Sequence, residues 1–229
     1  MNTLDVFFDP RSLFKELEVR PQWLLPFIII SVIVIICTLL MFPVTEHLML
    51  RQMPDGLSVE QQTQMLSSLK MSRYIGLLSA PVVLLMKMSL MAFLLYGVTV
   101  LFSFDFTYRK ALSILSHASI IAALDGLIMV GTIYFRGMSD IQTPKDLESV
   151  VLSLSWLFDA TLHPAMRTVL DSLTFFSVWY WVLLLVGIKL TTKLSKLESF
   201  LIVAILWGIQ TGFSAGMAMI FSRYSAASV

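Results

Sequence analysis

The chain has 229 residues, 57% of them hydrophobic and only 14% charged, with a mean hydropathy of +0.83. A soluble domain of this size has no core large enough to hide so much apolar side chain, so lipid must act as part of the solvent. A formal charge of +1 leaves no basic surplus for neutralising phosphates, which excludes nucleic acid as a partner.

Residues 1–22 form an amphipathic segment on the cytoplasmic side. Asp9 is placed to cap a helix whose first residue is Pro10, a position where the missing N–H costs nothing. Leu13, Phe14 and Leu17 then share one face, with Arg11, Lys15, Glu16 and Glu18 mostly on the other, the pattern of an interfacial helix. Mixed acidic and basic residues here are wrong for a signal-peptide n-region, and no small-x-small cleavage pattern follows the first apolar run. That run, 23–42, is therefore expected to be retained as a span, and its Cys37, the sole cysteine, to be a packing residue.

Four more stretches are long enough to cross about 30 Å of hydrocarbon: 75–102, 112–135, 169–188 and 200–221, the last followed by a short outside tail, 223–229. The fourth is the shortest and is expected to begin near Val169, taking Asp171 into the interface. The fold class is thus all-α: a polytopic membrane bundle of about five transmembrane helices with short amphipathic interfacial helices. Between the spans lie two long connections with helix-start signals. Ser58-Val59-Glu60-Gln61 has the form of a capping box, predicting a helix near 58–71. Thr143 before Pro144, with Leu147, Val150, Val151, Leu154, Leu157 and Phe158 at helical spacing, predicts another over 144–158, lying on the membrane or covering the bundle.

Lys and Arg placement sets the orientation. One side carries Arg11, Lys15, Arg20, Arg109, Lys110, Lys189, Lys193 and Lys196 in short segments. The other has Arg51, Lys70, Arg73, Arg136, Lys145, Arg167 and Arg223 over a much longer length, so the N-terminus is expected inside and the C-terminus outside.

Ionisable groups at membrane depth are costly and become functional candidates. Lys87 and Asp125 fall on the second and third spans, each about 20 to 24 Å from the inner end. An ion pair between them would offset both desolvation costs, and would serve either as a register-fixing contact or as a proton- or ion-coupled site. His117 lies eight residues before Asp125, near the same helix face, so that a relay is one reading and a histidine bonded to a neighbouring helix the other.

The three histidines fall at different sides or depths, which argues against a metal site, and no Walker loop, G-x-S-x-G elbow or paired cysteine and histidine appears. No cofactor and no familiar catalytic centre are expected. Gly208, Gly212 and Gly216, extended by Ala204, form a small-residue strip on the last span. Such a strip admits a closely packed helix from the same bundle or from another chain.

Three segments together resemble the Yip1 domain family. They are Phe8-Asp9-Pro10-Arg11 with Phe14, Pro21-Gln22-Trp23 and Pro26; Phe106 to Ser113; and Phe175 to Leu197 with Trp179, Gly187 and the cationic turn around Lys193 and Lys196. The resemblance covers nearly the whole chain. It implies five spans, an inside N-terminus and a role in membrane organisation rather than chemistry. Eukaryotic relatives work with small GTPases, while some bacterial members look like accessory subunits of ABC-type export systems. The acidic, tyrosine-bearing N-terminal motif of the eukaryotic members is missing, which argues against GTPase binding and favours a bacterial inner-membrane protein. The resulting expectation is a non-enzymatic protein embedded in the lipid bilayer, with a membrane-protein partner or self-association. The rival is a small transporter or channel component using Lys87, Asp125 and His117.

Overall fold

The computed structural model describes residues 3–51, 58–102, 105–137, 140–143, 146, 153–158, 163–192 and 194–227. Apart from an isolated antiparallel bridge between Ser153 and Thr174, the regular elements among these residues are helical. In chain order they are α1 (Asp5–Phe8), α2 (Pro10–Val19), α3 (Leu24–Arg51), α4 (Val59–Val100), α5 (Tyr108–Arg136), a 3-10 turn (Leu154–Leu157), α6 (Pro164–Asp171), α7 (Phe175–Thr191) and α8 (Lys196–Ala227). By length and composition α3, α4, α5 and the Lys196–Ile220 part of α8 can each cross a membrane, and α7 adds a shorter apolar helix. The protein is an all-α polytopic membrane protein.

Local sequence accounts for most of the helix starts. The Ser12 N–H donates to the Asp9 carboxylate at 3.1 Å, capping α2 behind Pro10. At the start of α4, the Ser58 N–H donates to Gln61 Oε1 (2.9 Å) and the Gln61 N–H donates to Ser58 Oγ (3.2 Å), so both exposed donors are satisfied by the capping box. Thr174 and Ser177 form the same reciprocal pair at the start of α7.

Three elements differ from the sequence expectation. The connection from Pro43 to Tyr74 is largely helical: α3 runs through Pro43 to Arg51, and α4 extends over 42 residues, about 63 Å and twice the hydrocarbon thickness. Pro43 removes one backbone donor from α3, and one turn earlier the Leu40 carbonyl accepts the Tyr134 hydroxyl at 2.7 Å. The fourth span does not begin near Val169. α6 ends at Asp171, and Thr174, in extended conformation, caps a new helix, leaving α7 only 17 residues. Of the expected helix over 144–158, residues 144, 145 and 147–152 lie outside the described residues. Within the described part, Leu154–Leu157 form a 3-10 turn rather than an α-helix.

The chain divides into two compact units. The first comprises Met1–Pro26, Met88–Ala122 and Leu152–Val229. In it α2 packs along α7, α6 along α8, and α7 against α8. Its interior contains Val6, Leu13, Phe14 and Leu17 from the N-terminal helices, Leu95 from α4, Ile114, Leu115 and Ile121 from α5, Leu184 and Ile188 from α7, and Ile202 and Leu206 from α8. The second unit, Phe27–Lys87 with Ala123–Val151, has a smaller core of Val44, Leu48, Ile133 and Ile141, flanked by Met41 and Met129. In that unit the Arg73 guanidinium also lies over the Phe42 ring, 4.2 Å from its centroid.

Candidate functional site

The first half of α5 carries an unusual density of buried polar groups, and each is bonded back to its own helix. The Ser113 hydroxyl donates to the Arg109 carbonyl (2.8 Å) and the Ser116 hydroxyl to the Ser113 carbonyl (3.0 Å). His117 Nδ1 lies 2.8 Å from that same Ser113 carbonyl. A carbonyl can only accept, so the imidazole carries its proton on Nδ1 and leaves Nε2 as an acceptor. Ser113, Ser116 and His117 are fully buried, and His117 Nε2 has no hydrogen-bond partner among the described residues. The expected bond from His117 to a neighbouring helix is thus replaced by one within α5.

Lys87 and Asp125 behave differently. Lys87 is exposed on α4 and Asp125 half-buried on α5. No ion pair or hydrogen bond joins their side chains among the described residues, whereas Arg167 and Asp171, both exposed on α6, stand 3.9 Å apart as an ion pair. Asp171 also accepts from the hydroxyls of Ser153 and Ser155. With the Leu154 N–H donating to the Leu173 carbonyl at 3.1 Å, these bonds pin the 3-10 turn to the α6–α7 junction. Among the described residues no group of three or more His, Cys, Asp or Glu side chains converges on a possible metal position.

The glycines divide into two environments. A Cβ added at Gly187 would stand 2.6 Å from Ile114 Cγ2 and 3.1 Å from Phe14 Cε1, so α2, α5 and α7 meet where only a hydrogen atom fits. At Gly208, Gly212 and Gly216 on α8, by contrast, a Cβ would meet nothing within 4 Å. Among the described residues the strip faces open space, while Ile202 and Leu206, on another face of α8, are buried. Gly187 was marked in the sequence only by the family resemblance. Its closeness to Phe14 needed the docking of α2, which no spacing rule supplies.

Residues 4–217 match the Yip1 domain. The chain belongs to the Yip1 family. The match takes in α1 to α7 and most of α8, ending at residue 217. A similar protein is "Membrane protein YknW" of Bacillus subtilis (strain 168), 28% identical over 221 residues that cover 95% of this chain and 90% of that protein. No solved structure matches the chain. The Yip1 assignment identifies an integral membrane protein with several spans, and the Gly187 junction lies within the matched domain.

Proposed function

We propose that this Yip1 protein is non-enzymatic and acts by holding another membrane protein, as an accessory or assembly subunit of an ABC-type export complex. The observation that carries this reading is the open strip of Gly208, Gly212 and Gly216. Helices in lipid associate through close backbone approach at small residues, and among the described residues nothing lies within 4 Å of a Cβ built on this strip. Lys87 and Asp125 fit the same reading: neither has an ion pair among the described residues, and each could be matched by an opposite charge on a partner helix. The positively charged short segments support a bacterial cytoplasmic membrane location with the N-terminus inside and the C-terminus outside.

A second reading, a small transporter or channel component, draws on the same two unpaired ionisable groups together with the unsatisfied Nε2 of His117. The two separate in one experiment. The tagged protein is purified in mild detergent from its native membrane, alongside Gly212→Leu, and co-purifying proteins are identified by mass spectrometry. Stoichiometric recovery of an export complex, reduced at least tenfold in a Gly212→Leu variant that remains folded, is the expected result. Recovery of the folded protein alone would remove the accessory reading and leave flux measurements on Lys87 and Asp125 variants to decide the other.

A further inference from the structure

From Ile75 to Phe102 the sequence holds one charged side chain, Lys87, and from Leu112 to Phe135 one more, Asp125. Both belong to the second compact unit, and two contacts within that unit set their relative depth. The Arg73 guanidinium of α4 stands over the Phe42 ring of α3, so these two residues are level. The Tyr134 hydroxyl of α5 donates to the Leu40 carbonyl of α3, two residues to the apolar side of Phe42. All three helices change character at this level. Pro43, Thr45, Glu46 and His47 follow Phe42, Ser72 and Arg73 precede Tyr74 and Ile75, and Arg136 follows Phe135. The coincidence of three such transitions marks a membrane boundary. Lys87, fourteen residues after Arg73, is about 21 Å into the apolar layer. Asp125, nine residues before Tyr134 and lowered two more by the offset at Leu40, is about 17 Å in. The remaining difference is within reach of the flexible four-carbon stem of lysine.

Neither charge is answered by its own chain among the described residues, where no ion pair or hydrogen bond to either side chain is present. Both lie beside outward-facing apolar residues. Lys87 is exposed next to Val83 (58% exposed) and Met86 (67%), and the half-buried Asp125 is one turn from Ile128 (46%). A charge left against acyl chains at this depth is costly, and the short aspartate side chain reaches neither headgroup layer.

A second copy of the chain supplies what each charge lacks. Two-fold rotation about the membrane normal leaves depth unchanged, so Lys87 of one copy meets Asp125 of the other where the two are level in a single chain, which is the condition found here. Each copy brings one charge of each sign, so the contact closes twice and leaves no net charge in the layer. An unrelated helix would have to bring both an acid and a base at the same depth. We infer that two copies associate through reciprocal Lys87–Asp125 ion pairs, with α4 of each against α5 of the other. This pairing is separate from the glycine strip that carries the export-complex reading.

The test uses two differently tagged copies of the full-length protein, co-expressed, extracted in mild detergent and purified on one tag, with the other tag quantified in the eluate. Parent copies should co-purify. Lys87→Met in both copies, or Asp125→Leu in both, should lower recovery of the second tag at least tenfold, since no pair can form. A Lys87→Met copy mixed with an Asp125→Leu copy regains one of the two pairs and should bring recovery to within threefold of the parent. A pair made inside one chain would leave that mixture as low as the single variants. That result overturns the inference, as does a parent that elutes as single copies. Gly212→Leu in both copies should leave recovery unchanged, and a tenfold loss there would move self-association to the glycine strip and overturn the charge pairing. Each variant is compared at the parent unfolding midpoint. Should Lys87→Met or Asp125→Leu fail to fold, Val83→Cys and Ile128→Cys on separate Cys37→Ser copies leave both charges in place. Oxidation of that mixture should give a disulfide-linked dimer, and its absence from folded protein overturns the pairing.

Discussion

The two halves of α5 belong to different units and have different surroundings. From Tyr108 to Ala122, Ala111, Ile114, Leu115, Ala118 and Ile121 are buried together with Ser113, Ser116 and His117. From Ala123 to Arg136 the buried residues are Ala123, Val130 and Ile133. Both halves are apolar enough to lie in a membrane, so hydrophobicity does not distinguish them. Side-chain size does: the first half is rich in Ala and Ser, which let neighbouring backbones come close, and van der Waals contact at small residues is what holds helices together where lipid is as apolar as leucine. The first unit should therefore be intolerant of added volume, and the second comparatively permissive.

A pair of glycine substitutions tests that contrast and should give the largest effects. Gly187→Ala drives a methyl group into Ile114 Cγ2, a branch held stiffly close to the α5 backbone, and into the Phe14 ring. Overpacking of this kind should destabilise by about 1–3 kcal/mol. Gly131→Ala, in the second unit, meets nothing within 4 Å. It should stabilise by roughly 0.5–1 kcal/mol, because alanine is the better helix former. Unfolding midpoints in a denaturing-detergent titration would measure both. Equal signs for the two variants would remove the distinction between the units.

The sequence was informative where backbone chemistry is local. The Asp9–Pro10 and Ser58–Gln61 starts are visible because a cap and its partner lie within three residues of each other. Span count was legible from run length for α3, α4, α5 and α8. What could not be read was which apolar face meets protein and which meets lipid, because both demand the same residues. Leu13, Phe14 and Leu17 look like a membrane-surface helix in sequence, yet they are buried inside the first unit. The break before α7 was hidden for a related reason: Ser172-Leu173-Thr174 is short, and its interruption depends on Asp171 receiving hydroxyls from Ser153 and Ser155, far away in the chain. Of the candidate site, the small-residue strip was legible, but the bonds of His117 to its own helix were not, since a helix wheel gives direction and no partner.

His117 provides a smaller test within the first unit. Its Nδ1–H bond is to a carbonyl of its own helix, and Nε2 is buried without a partner among the described residues. Replacing a polar group of that kind with an apolar one of similar size removes a desolvation cost while losing one hydrogen bond. His117→Leu should therefore leave stability within about 1 kcal/mol of the parent. A much larger loss in the same titration would show that Nε2 has a partner, such as an enclosed water, and would strengthen a functional role for the imidazole.

The smallest effect is expected in the second unit, at the turn before the 3-10 segment. The Asp146 carboxylate accepts from the Thr143 N–H (2.6 Å), the Gln142 N–H (2.9 Å) and the Thr143 hydroxyl (3.0 Å). These bonds favour its charged form, led by the Thr143 N–H, and hold its pKa below the usual carboxylate value. A folded-state pKa lowered in this way contributes stability that is fully present above the unfolded value, about 3.9, and disappears as the pH falls through the lowered one. The carboxylate is exposed, so the effect should stay local. Asp146→Asn at neutral pH should speed amide exchange at Gln142 and Thr143, after correction for intrinsic rates, without moving the global midpoint. The parent protein should lose that protection only on acidification below about pH 4. A shift of the global midpoint in Asp146→Asn would mean that this turn is coupled to the core around Ile141 and that the second unit is less permissive than its sparse packing implies.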